Sequence, residues 1–210
     1  MHNYNFHIIG VGASAGGVVA LKELVSRLPE GLNAVVVIIT HLFAQHRSHL
    51  SEILELCTKM PVVRVDHSKP LKPGVIYVLA ENRMMTLKDG ILKIRGRKVE
   101  EKINHAIDIF FESMAVEAGP KAIGVVLSGT NDDGTEGAKA IGNNAGTVMV
   151  QDPFTAIHPK MPLAVIIRDD PKVIGSLEDL ADAIIKRVVE SSESERVYLR
   201  RDFDIQGLTG

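Results

Sequence analysis

Five short apolar runs constrain the fold before anything else: Phe6 to Val11, Ala34 to Thr40, Val75 to Leu79, Ala122 to Leu127 and Thr147 to Val150. They are rich in β-branched residues and continuously apolar, the pattern of strands covered on both faces, as in a parallel sheet. Pro61 to Val65 and Lys172 to Ile174 are further candidates. Helical stripes fall between them. Leu21, Leu24, Val25 and Leu28 stop before Pro29-Glu30-Gly31, and Leu50, Ile53, Leu54 and Cys57 form another stripe. Ile107, Phe110, Phe111, Met114 and Ala115 end at Gly119-Pro120, and a last helix is expected over Leu177 to Val189. Alternating strands and helices predict an α/β fold with a doubly wound, mostly parallel sheet. One interruption, Met84 to Leu87, Asp89-Gly90 and Ile91 to Ile94, predicts an antiparallel β-hairpin added near the sheet's edge. The expected organisation is one domain over residues 1–192, followed by a polar C-terminal extension or linker over 193–210.

Composition narrows the function classes. Lys and Arg number 24 against 26 Asp and Glu, a net charge of -2, so nucleic-acid binding through bulk phosphate neutralisation is not expected. A lone cysteine, Cys57, excludes an intrachain disulfide and a multi-cysteine zinc site. No apolar run reaches the ~18 residues a membrane helix needs. Residues 1–5 carry no basic segment ahead of the first strand-like stretch, so no secretion signal is expected. The chain is expected to be cytoplasmic and not membrane-embedded.

The most informative segment is the turn Gly10-Val11-Gly12-Ala13-Ser14-Ala15-Gly16-Gly17, between the first strand and a helix. Gly10-x-Gly12-x-x-Ala15 fits a dinucleotide fingerprint, whose backbone donors cradle pyrophosphate. Gly12-x-Ser14-x-Gly16 fits a nucleophile elbow, which exposes a serine hydroxyl above the sheet. Glycines at such a turn also serve close packing alone. The second strand discriminates, because it ends in His41 where a dinucleotide fold wants a carboxylate for the ribose hydroxyls. A third element is Ser128-Gly129-Thr130-Asn131-Asp132-Asp133-Gly134, at the carboxyl end of a buried strand. There the acidic turn could orient a histidine, bind a metal such as magnesium through Asp132 and Asp133, although no matching carboxylate cluster stands elsewhere, or simply cap the next helix, for which Asp133 alone suffices. Ser14, His41 and Asp133 all fall at the carboxyl ends of expected parallel strands, where catalytic groups of such sheets gather.

The sequence resembles the catalytic domain of CheB-type chemotaxis protein-glutamate methylesterases over Phe6 to Val189. The pieces that carry the resemblance are the turn around Ser14, Val36 to His41, His105 to Ala115, Gly124 to Gly137, Gln151-Asp152-Pro153 and Met161-Pro162. It implies a Ser14 nucleophile, a His41 general base and an Asp133 orienting acid, with an oxyanion hole from the backbone N–H groups of Ala15 and Thr130. His105, Asp108 and Met161 are implied as lining the site, with a helix-start hydrogen bond as the plainer role for His105 and Asp108. The chain departs from the family at Ala15, where a hydroxyl residue is common, at Thr40, where glutamine is usual, and at Thr130, where many members have methionine.

The expected reaction is hydrolysis of γ-glutamyl methyl esters on the cytoplasmic helices of methylated chemoreceptors, with deamidation of glutamines open to the same steps. Neither metal nor organic cofactor is expected. Many members carry a receiver domain ahead of the catalytic one, so a receiver or other signalling domain outside this chain is an expected partner. The rival readings are a nucleotide-dependent Rossmann-like oxidoreductase and a non-catalytic interaction domain of a multidomain signalling protein.

Overall fold

A computed structural model describes residues 4–41, 47–98, 101 and 103–190; the expected extension over 193–210 and its boundary lie outside the described residues. The chain order is β1 (His7–Ala13), α1 (Gly17–Arg27), β2 (Ala34–Thr40), α2 (Leu50–Glu55), β3 (Val62–Val65), β4 (Lys69–Pro70) and β5 (Ile76–Leu79). Then follow β6 (Arg83–Lys88), β7 (Ile91–Gly96), α3 (Ala106–Ala118), β8 (Ala122–Val126), α4 (Thr135–Asn143), β9 (Thr147–Gln151), α5 (Lys160–Arg168) and β10 (Val173–Gly175). A last helix, α6, covers 177–190.

Seven strands form one sheet of order β10-β9-β8-β1-β2-β5-β3, and every pairing in it is parallel. Alternate residues of the central strands feed two separate cores. Ile8, Val35 and Val37 join α3, α4 and α5, whereas Ile9, Val36 and Ile38 join α1, α2 and α6. Both faces are thus covered, which is why these strands read as unbroken apolar runs. The strand order reverses at β1, leaving β1 and β8 side by side with crossovers leading away in opposite directions. Ligand sites of such sheets lie beyond the carboxyl ends at that point.

The expected hairpin forms, turning at Asp89 (φ 53°) and Gly90 (φ 71°), both in the left-handed region that two-residue hairpin loops favour. It does not extend the edge of the large sheet. β6 and β7 join β4 in a separate antiparallel sheet of order β4-β7-β6. The reason is its apolar face: Met84, Met85, Leu87 and Leu92 are buried in the same core as α3, and the Leu87 N–H donates to Ser113 Oγ on that helix at 2.9 Å.

Two glycines of the β1 run set how closely α3 approaches. A Cβ on Gly10 would fall 2.8 Å from Phe111 Cε1, and one on Gly12 would fall 2.6 Å from Ile107 Cγ2. Both distances are too short for a real side chain, so α3 lies against the middle of the sheet because these positions are bare. No helix among the described residues is long and apolar enough to cross a membrane.

Candidate active site

Ser14 leaves β1 directly. Its N–H donates to the Ser128 carbonyl (2.9 Å), its carbonyl accepts the Gly17 N–H (2.8 Å), and Gly16 takes the left-handed φ of 73° that the sharp entry into α1 requires. Ser128 braces this turn from below: its hydroxyl donates to the Ala15 carbonyl (2.8 Å) and accepts the His158 N–H (2.9 Å). His41 follows β2, the neighbouring strand, and its side chain is 14% exposed. Asp133 sits in the turn between β8 and α4 and is 1% exposed.

The structure brings these three side chains together. Ser14 Oγ is 3.1 Å from His41 Nδ1, and His41 Nε2 is 2.6 Å from Asp133 Oδ2. With the proton on Nε2 donated to the carboxylate, the Nδ1 lone pair faces the serine hydroxyl, which is the tautomer a general base requires. Asn131 Nδ2 lies 3.3 Å from the same Nδ1, and its Oδ1 is buried without a partner among the described residues.

Asp133 holds its position through α3. Its Oδ2 also accepts the Ile107 N–H (3.0 Å), and its Oδ1 accepts the Asp108 N–H (2.9 Å), so it caps the first turn of a helix remote in sequence. Burial alone would push this carboxyl up, but the hydrogen bonds from His41, Asp108 and Ile107 outweigh it and hold it below its ordinary value. Asp108 returns the arrangement: its Oδ1 accepts the N–H groups of Gly134 and Gly137, both at 2.9 Å, at the start of α4. Burial first, and then the charge of Asp133 beside it, raise the Asp108 carboxyl to about 6 against the opposing hydrogen bond from Gly137.

The other expected residues fall as follows. The N–H groups of Ala15 and Thr130 make no hydrogen bond among the described residues. His105 is half-exposed at the entry to α3, with Nδ1 3.6 Å from Asp108 Oδ2. Met161 is fully buried and supports the loop from behind: its N–H donates to the Gly129 carbonyl (3.0 Å), and a Cβ on Gly129 would fall 2.6 Å from its sulfur. Asp132 turns outward to Arg168 (3.1 Å) and takes no part in the His41 contact. Sequence reasoning gave no role to Asn131 or Ser128, since neither lies in a spacing that marks it.

A metal does not fit the one cluster that could offer three ligands among the described residues, His105, Asp108 and Asp133. Both oxygens of Asp133 and one of Asp108 already accept N–H groups. Beside the site a groove of about 870 Å³ runs from Thr130 and Asn131 along α5, lined there by Lys160, Leu163, Ile167 and Arg168.

Residues 9–184 match the family model described as CheB methylesterase. A relative from Leptospira interrogans, provisionally named a protein-glutamate methylesterase/protein-glutamine glutaminase, is 31% identical over 87% of this chain and 95% of its own. Relatives from Pseudomonas fluorescens and Moorella thermoacetica, named for the same activity, are 29% and 30% identical over 88% and 86% of this chain. The match spans only 49% and 44% of those two longer proteins. The crystal structure of the Thermotoga maritima CheB methylesterase catalytic domain shares the fold, with a TM-score of 0.78 and 24% identity over 86% of this chain and 98% of that one.

Proposed function

The chain belongs to the CheB methylesterase family, and on that basis we propose that it is a serine hydrolase that demethylates γ-glutamyl methyl esters on chemoreceptor helices through Ser14, His41 and Asp133. The observation that carries the residue assignment is the unbroken contact from Ser14 Oγ through both nitrogens of His41 to Asp133.

His41 Nδ1 takes the Ser14 proton as the hydroxyl attacks the ester carbonyl, and Asp133 stabilises the imidazolium that forms. The N–H groups of Ala15 and Thr130 are the proposed donors to the developing oxyanion; one such donor is worth ~10²–10³ in rate. Methanol leaves with the proton from His41. Water, deprotonated by the same nitrogen, then releases glutamate from the acyl-serine. A glutamine side chain passes through the same steps with ammonia as the leaving group, in keeping with the double activity in the relatives' names.

The groove beside Thr130 and Asn131 supports a helical substrate: Leu163 and Ile167 offer apolar surface, and Lys160 suits a helix that carries carboxylates. Pyrophosphate binding finds no support, because the bare faces of Gly10 and Gly12 are filled by Phe111 and Ile107. A receiver or other signalling domain remains the proposed regulatory partner. The test is methanol release from methylated receptor fragments on incubation with the protein; a receptor that keeps its methyl groups, beside a positive control from a known methylesterase, rules the function out.

A further inference from the structure

Asp108 touches the proposed catalytic set, and the steps above give it no part. It is 8% exposed, its N–H reaches Asp133, and one of its carboxyl oxygens holds two N–H groups of the segment that carries Asp133. Oxygens of the two carboxyl groups lie within 4.8 Å of each other. Two carboxyls so close and so poorly hydrated cannot both hold a full charge without opposing one another.

We propose that Asp108 is a positioning residue for the Ser14–His41–Asp133 set: it clamps the turn bearing Asp133, and its own ionisation sets how strongly Asp133 holds the His41 imidazolium. The inference rests on the function proposed above for the same site. When Asp108 is ionised, a second negative charge behind Asp133 favours the protonated imidazole. When it is neutral, it donates to Asp133 and weakens that hold. Protonation of Asp108 and of His41 therefore oppose each other. Other charged groups also face Asp108 or its helix. His105, half-exposed at the start of α3, has Nδ1 3.6 Å from Asp108 Oδ2, and Glu112 is exposed one turn along α3. On α4, Glu136 and Lys139 pair with each other at 2.9 Å, and on β6 Arg83 and Lys88 are exposed.

Asp108→Asn separates the two parts of the proposal, because it keeps an oxygen for Gly134 and Gly137 and removes the charge. NMR titration of the His41 imidazole in the folded protein is expected to show a midpoint lower than in the wild type by about 0.5–1 unit. The acid limb of kcat/KM for methanol release should move in the same direction. A His41 titration that superimposes on the wild type would show that Asp108 only braces the turn and would overturn the proposal. Should the amide variant fail to fold, Asp108→Ser keeps an oxygen, removes the charge and is read in the same way. The NMR measurement needs no turnover, so an inactive enzyme counts against the proposed function and not against this coupling.

Discussion

Asp133 and Asp108 cap each other's helices: Asp133, in the turn before α4, takes the N–H groups that open α3, while Asp108, in the first turn of α3, takes those of Gly134 and Gly137. Each negative charge also lies at the positive end of a helix dipole. The exchange makes the geometry at His41 depend on two segments 25 residues apart in the chain.

Replacing Asp133 tests the assignment within the acidic turn. Asp133→Asn should lower kcat for methanol release by ~10³–10⁴, the effect of losing the orienting carboxylate of a serine triad. Asp132→Asn, whose carboxylate pairs with Arg168 at the exposed surface, should cost less than about tenfold, since such pairs contribute little. Steady-state kinetics on both variants decides; the opposite ranking would move the role to Asp132.

Gly12→Ala tests whether the site depends on the approach of α3. The new methyl would meet Ile107, whose N–H holds Asp133 Oδ2, so the helix has to move. Overpacking of this kind costs ~1–3 kcal/mol. Thermal unfolding should show the loss, and kcat should fall with it, because the displaced N–H belongs to the site. Full activity at reduced stability would separate the packing from the chemistry.

His7 gives a pH dependence unconnected with catalysis. It is buried at the start of β1, its Nε2 has no partner among the described residues, and burial, aided by Lys121 and Arg187, lowers it to about 4. A histidine lowered in the folded state binds its proton more readily when unfolded. Its contribution is therefore complete above pH ~6.5 and is lost as pH falls toward 4, on the order of 2–3 kcal/mol. In urea unfolding at pH 7 and pH 4.5, wild type should lose this much more stability than His7→Leu. Equal losses in both proteins would refute the assignment.

Much of this architecture is visible in the residues themselves. The apolar runs of Ile8 to Ala13 and Val35 to Ile39 announce strands covered on both faces, and the positions of Ser14 and His41 follow from where those strands stop. What the residues cannot announce is who meets whom. Met85 and Leu87 mark a buried hairpin face, yet nothing local says that α3 and not the sheet edge covers it. Gly12 satisfies a nucleotide fingerprint and an elbow equally well, and nothing local says that Ile107 packs against its bare face. Asp133 reads as a cap for the helix that follows it, whereas it caps the helix that precedes it, a contact set by tertiary packing. Asn131 beside His41 leaves no periodic signal at all.

In the proposed function, the Ser14 hydroxyl, activated by His41, is the nucleophile. Covalent labelling of the folded protein with a fluorophosphonate, followed by peptide mass mapping, tests it directly. One adduct is expected, on Ser14, absent from Ser14→Ala and formed far more slowly in His41→Ala. Labelling at another residue, or an undiminished adduct in Ser14→Ala, would contradict it.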